Sequence, residues 1–127
     1  MAKQRDARVL DTLSATIGKR RGGNTAKSYT ARLLARGTKQ VAKKFAEESA
    51  EAVIDAVARD KAGLVCESAD VLYHLLVLWE DARIKPRQVW AELARREGIS
   101  GIAEKVSRKT KKPKQPRTKG RKKPRKR

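Results

Sequence analysis

Two short acidic runs hold the side chains best able to do chemistry. The first is Glu47-Glu48-Ser49-Ala50-Glu51. Spacings of three and four residues put Glu47, Glu48 and Glu51 on one face of a helix. The second is Glu67-Ser68-Ala69-Asp70, with His74 one turn further on. On a helix, Glu67, Asp70 and His74 make a narrow polar stripe. Acidic helix residues are ordinarily a solvated face. Two features set these apart. Three like charges crowd one turn, and Lys44 is the one nearby cation on their arc. The Glu67 and Asp70 pair also leads into residues 71–79, which are apolar nearly all round, and unpaired charge is costly there. If the two runs lie on antiparallel helices, they can face one another. Hard oxygen donors of this kind suit Mg²⁺ or Mn²⁺. Such an ion neutralises phosphate charge and lowers the pKa of a bound water.

The elements that must position these groups follow from periodicity and punctuation. Val9, Leu10, Leu13 and Ile17 recur at helical spacing and predict a first helix over residues 4–17. Gly18 and then Gly22-Gly23-Asn24 end it. Ser28 suits the N-cap of a short helix, Tyr29–Ala35, which Gly37 closes. Thr38 is placed to cap a helix running to about residue 59, and it carries the first acidic run. Asp60 is placed to cap a further helix, Lys61–Asp81, which carries the second. Pro86 suits the first turn of a last helix, reaching about residue 97 before Gly98. No segment alternates with strand periodicity over a useful length. The expected class is all-α, with helical hairpins packed as a bundle. Residues 71–79 are too apolar for a small monomer to bury alone, so the pattern predicts a homodimer.

The 127-residue chain suits one modest domain. Its charge is split. Of 33 basic residues, fourteen lie from Lys105 onward with no acid among them, leaving 19 basic and 14 acidic residues in the first 104. The expected division is therefore a helical domain over residues 1–104 and a disordered Lys/Arg-rich tail over 105–127. The tail has no aromatic residue for base stacking, so any contact with nucleic acid or another polyanion is expected to be electrostatic and indifferent to sequence. Cys66, the one cysteine, excludes an internal disulfide and is expected to be a buried structural thiol. The N-terminus lacks the apolar core of a secretory signal, and no apolar run is read as a membrane span. The expected location is the cytoplasm.

The spacing Glu-x-x-Glu followed by Glu-x-x-Asp on the next helix resembles the MazG-type all-α nucleotide pyrophosphatases. Three blocks in order sharpen the likeness: Ser28-Tyr29-Thr30-Ala31-Arg32-Leu33-Leu34, then Lys43-Lys44 with Glu47-Glu48, then the run from Glu67 to Val77. Together they resemble the phosphoribosyl-ATP pyrophosphatases of histidine biosynthesis over roughly residues 8–97. The resemblance implies hydrolysis of phosphoribosyl-ATP to phosphoribosyl-AMP and pyrophosphate. It also implies a homodimer and Mg²⁺ held by carboxylates. By position, Glu47, Glu48, Glu51, Glu67 and Asp70 are the candidate catalytic and metal-ligating residues. Tyr29, Arg32, Lys43, Lys44 and His74 are candidates for binding substrate. Two other readings compete. One is a MazG-like enzyme acting on other nucleoside triphosphates, against which residues 28–34 argue. The other is a nucleic-acid-binding protein with a helical dimerisation domain, which leaves the carboxylates unexplained.

Overall fold

A computed structural model describes residues 5–111, and among these every regular element is a helix. In chain order they are α1 (Arg8–Arg20), α2 (Tyr29–Ala35), α3 (Thr38–Val57), α4 (Lys61–Asp81), α5 (Pro86–Arg96) and α6 (Gly101–Lys111). The all-α expectation holds. The described residues fall into two units, divided between Glu92 and Leu93.

The first unit is organised by the α3–α4 hairpin. Asp60 caps α4, its Oδ1 accepting from the Gly63 amide at 2.9 Å, a device worth about 1 kcal/mol. The turn before it is a Schellman motif. The Asp60 amide donates to the Asp55 carbonyl and the Arg59 amide to that of Ala56. Arg59 stands in the left-handed region, with φ of 58°. Gly63 is needed for a different reason: a side chain there would come within 2.5 Å of the Asp60 carboxylate and 2.8 Å of that of Asp55. At the far end of the hairpin, the Thr38 hydroxyl donates to Asp81 at 2.7 Å. The first residue of α3 thus meets the last of α4, and the helices run antiparallel.

Helices α1 and α2 close over the C-terminal half of α4. Ile17, Leu33, Val41, Leu76 and Val77 form the buried core, with Leu10, Leu13, Leu34, Tyr73, Leu78 and Trp79 packed against it. The Arg21 guanidinium binds the Glu80 carboxylate at 2.8 Å and also the Glu80 backbone carbonyl. This anchor explains why α1 continues through Gly18 to Arg20 instead of stopping at 17. Trp79 and Trp90 meet edge to face, and the Trp90 indole donates to Asp11 at 3.2 Å.

Several expectations need correction. The residues of α4 buried within the chain are His74, Leu76 and Val77, so much of the apolar belt at 71–79 is covered by the chain's own helices. The large apolar side chains left exposed on the hairpin are Val53, Ile54, Val57, Val65 and Leu72. Most lie toward the α3–α4 turn, past the reach of α1 and α2. Cys66 shares that position and is exposed rather than buried. Helix α4 also proves long and apolar enough to cross a membrane by length and composition, which the run of residues did not suggest. Core helices meet the same criterion, and this one carries Glu67, Asp70 and His74.

In the second unit, α6 runs across the expected 104/105 boundary. Composition placed 105–111 in a disordered tail; the structure makes them helical. Ser100 caps the helix, its hydroxyl accepting from the Ala103 amide at 3.1 Å. The buried Glu104 pairs with Arg95 at 2.5 Å, Arg108 at 3.5 Å and Arg96 at 3.7 Å. One acid surrounded by three guanidiniums holds a basic segment that composition alone reads as unfolded. The remainder of the tail, 112–127, lies outside the described residues.

Glycine relieves the left-handed strain that Arg59 bears. Arg59→Gly is therefore expected to stabilise the protein by about 1 kcal/mol, less what glycine adds to the unfolded chain's entropy. Chemical denaturation measures this, and a clear loss of stability would show that the arginine side chain holds the turn.

Candidate active site

The hairpin register sets Glu48, ten residues from the start of α3, opposite Asp70, eleven from the end of α4. Oxygens from Glu48, Glu67 and Asp70 come within 4.8 Å of one another. Glu48 and Glu67 are half-buried and Asp70 is exposed. One Glu67 oxygen, Oε2, is cut off from water and accepts no hydrogen bond. The Glu67 carboxyl is pushed up to about 7. Burial is the largest cause. Next come a hydrogen bond shared with Glu51, the charges of Glu51 and Asp70, and a hydrogen bond shared with Glu48.

Glu47 takes a different direction. Its oxygens pair with Lys44 at 3.4 Å and Lys43 at 4.0 Å. Three of the five acids named from sequence, Glu48, Glu51 and Asp70, thus gather around a fourth, Glu67, and the fifth faces lysines. A divalent cation fits the gathered set. The donors are all hard oxygens, several are like-charged and close, and one is buried without a partner. Such an arrangement is unfavourable empty and favourable around a cation.

The other named residues divide between two neighbouring places. His74 is buried and links the acidic site to α2. Its Nδ1 lies 2.9 Å from the Asp70 carbonyl. A carbonyl only accepts, so Nδ1 carries the proton. Nε2 then accepts from the Tyr29 hydroxyl at 3.4 Å. Tyr73 stacks on Tyr29, meets His74 edge-on, and shares a hydrogen bond with Thr30. Burial raises the Tyr73 phenol above its ordinary pKa.

Tyr29, Arg32 and Lys44 line a cavity of about 130 Å³ together with Leu33, Arg36 and Gln40. The Arg32 guanidinium is steadied by the Thr25 carbonyl at 3.1 Å. The Lys44 ammonium is held above its ordinary pKa, first by its hydrogen bond to Glu47 and also by the negative charges of Glu47 and Glu48. Lys43 does not line the cavity; it is two-thirds exposed. Arg36 and Gln40 escaped the sequence reading. Their signal was the four-residue spacing of Arg32, Arg36, Gln40 and Lys44, which continues across the break at Gly37. Three cations beside an aromatic ring can hold phosphate oxygens next to the carboxylate cluster.

Residues 10–97 match the family described as phosphoribosyl-ATP pyrophosphohydrolase. The chain belongs to this family. It is 56% identical over 104 residues to a phosphoribosyl-ATP pyrophosphatase of Azospirillum brasilense, covering 82% of this chain and 94% of that one. It is 54% identical to the one of Paramagnetospirillum magneticum, covering 81% of this chain and 94% of the relative. With that of Dinoroseobacter shibae it shares 54% over 79% of this chain and 98% of the other. The matched residues contain the whole hairpin, the carboxylate cluster and the Tyr29 cavity. A pyrophosphohydrolase of this family is an enzyme that hydrolyses a phosphoanhydride, so the reading as a nucleic-acid-binding protein without catalysis falls away.

The raised Glu67 carboxyl has a consequence for stability. Free of metal, the folded protein holds a proton on Glu67 up to about pH 7, whereas the unfolded chain releases it near 4.5. Between those values the folded state binds more protons, so this contribution to stability falls as pH rises. In chelator, wild-type protein is expected to lose melting temperature across that window relative to Glu67→Gln, which cannot ionise. Parallel pH profiles for the two proteins would contradict the assigned environment.

Proposed function

We propose that this chain hydrolyses phosphoribosyl-ATP to phosphoribosyl-AMP and pyrophosphate in histidine biosynthesis, as a cytoplasmic homodimer using Mg²⁺, with Mn²⁺ able to replace it. The observation that carries the reading is the convergence of Glu48, Glu67 and Asp70 in a chain of this family. Water adds at phosphorus, the anhydride between the α- and β-phosphates breaks, and the leaving pyrophosphate takes its electron pair.

The chain's own residues divide the work. Glu48, Glu67 and Asp70 would hold the metal, with Glu51 completing the acidic wall around Glu67. The bound ion would supply charge neutralisation at the phosphates and a water of lowered pKa. Lys44, Arg32 and Arg36 would bind phosphate oxygens. Glu47 holds Lys44 in place through their ion pair. Tyr29 offers its ring to the sugar or base, and His74 fixes the Tyr29 hydroxyl through the Asp70 backbone. Lys43 remains a candidate only for longer-range attraction of the substrate.

Glu48→Gln and Asp70→Asn preserve shape and remove a charged donor. Each is expected to lower turnover of phosphoribosyl-ATP by at least about 100-fold with helicity unchanged, since even weaker changes around metal sites reach that size. Chelator should abolish wild-type turnover and Mg²⁺ restore it. Near-normal turnover in both variants, or full activity in excess chelator, would reduce the cluster to surface charge.

The dimer rests on the exposed apolar side chains of the hairpin, notably Val57 at 80% and Val65 at 71% exposure. A second copy would cover them. Val57→Asp is expected to shift the protein toward monomer in sedimentation at micromolar concentration. A wild-type protein that sediments as an active monomer would remove this part of the reading.

A further inference from the structure

A second polar cavity lies apart from the carboxylates, within the first unit. It is an open groove of about 670 Å³ between α1 and the α4–α5 junction. Five cations line it: Lys19, Arg21, Arg83, Lys85 and Arg87. Its two acids, Glu80 and Asp11, leave the cations in excess by three. Glu80 is bound by Arg21 at 2.8 Å, and Asp11 accepts from the Trp90 indole at 3.2 Å. Among the described residues, no carboxylate pairs with Lys19, Arg83, Lys85 or Arg87. The excess of positive charge around one concavity is repulsive, and a bound anion would relieve it. Ala15, Ile84 and Pro86 add apolar wall. The volume is that of a site for a small molecule.

We propose that this groove is a second, non-catalytic binding site for an organic phosphate of nucleotide size. The phosphate sits among Lys19, Lys85 and Arg87, and the apolar part of the ligand rests on Ile84 and Pro86. The site is separate from the one assigned to hydrolysis: Glu80 follows Asp70 by ten residues of α4, about 15 Å along the helix. It shares no residue with the carboxylate cluster or the Tyr29 cavity. The proposal therefore stands independently of the substrate assigned above.

The fold supplies its own reporter. Trp90 is bonded to Asp11, a groove residue, and Trp79 packs on Trp90; these are the chain's two tryptophans. The full chain, kept in chelator, is titrated with adenosine monophosphate while tryptophan emission is followed. A saturable change is expected, weakening as salt rises. In the double variant Lys85→Ala, Arg87→Ala the midpoint should rise roughly tenfold or more. That variant should turn over substrate normally, which also shows that it folds. Asp70→Asn should leave the midpoint unchanged. Adenosine, which lacks phosphate, should bind far more weakly than the monophosphate. The proposal is overturned by an absent or unsaturable change, by equal midpoints in the double variant and wild type, or by loss of the signal in Asp70→Asn. It also falls if an oligonucleotide alters the emission and adenosine monophosphate does not, because the groove is then a nucleic-acid contact.

Discussion

Like charge held together by a helical hairpin is the constraint on which the first unit depends. Glu48, Glu51, Glu67 and Asp70 would separate if α3 and α4 were free to slide. They are kept opposite one another by features at both ends of the hairpin. The Schellman turn and the Asp60 cap fix the near end, and the Thr38–Asp81 hydrogen bond fixes the far end. A shift of one residue in register would turn each carboxylate by about 100° around its helix and disperse the cluster. Local hydrogen bonds worth about 1 kcal/mol each therefore control a geometry whose own electrostatics oppose it. The core contributes the rest by clamping the C-terminal half of α4 against α1 and α2.

The same arrangement couples the acidic cluster to the cationic cavity beside it. Asp70 presents its side chain to the cluster and its carbonyl to His74. His74 passes that constraint to Tyr29, which lines the cavity with Arg32, Arg36 and Lys44. Glu47 completes the link from the other helix, facing Lys44 while Glu48, its neighbour, faces the cluster. Adjacent residues on a helix diverge by about 100°, so two consecutive glutamates can serve two sites. A polyphosphate bridging them would have hard oxygens suited to a divalent cation at one end and guanidiniums at the other.

Much of this was legible in the sequence because it rests on short-range rules. The Ser28 and Asp60 caps, the bounds of α2 and α4, and the two acidic faces all follow from side-chain type at fixed spacing. The carboxylate convergence was legible only conditionally, since it needed the helices to be antiparallel neighbours. What stayed hidden depends on contacts far apart in sequence. The extension of α1 past Gly18 requires Arg21 to find Glu80. The exposure of Cys66 requires knowing that α1 and α2 stop short of the hairpin's turn; the helical pattern around it is equally compatible with burial. Helix α6 was misread because composition counts charges without pairing them, and Glu104 pairs with three arginines at once.

The pairing around Glu104 bears on how the chain's excess of positive charge is distributed. A net charge of +19 invites a single explanation, nonspecific attraction to polyanions. Ten of the basic residues lie in 112–127, outside the described residues; among the rest, the structure shows arrangements with different chemistry. Around Glu104, arginines surround a buried acid and stabilise a helix. Around Tyr29, three cations stand beside a carboxylate cluster of opposite sign. In the groove behind Glu80, four cations face one another after the local acids have been taken by Arg21 and Trp90. The first has a buried acid of its own at its centre, shared by all three arginines. The second finds much of its balance in Glu47 and the acidic cluster beside it. The third has Asp11 and Glu80 against five cations, so its remaining excess of positive charge is relieved by solvent counterions or by a bound anion. Unpaired charge inside a concavity, rather than charge in total, is what distinguishes a binding site from a basic surface.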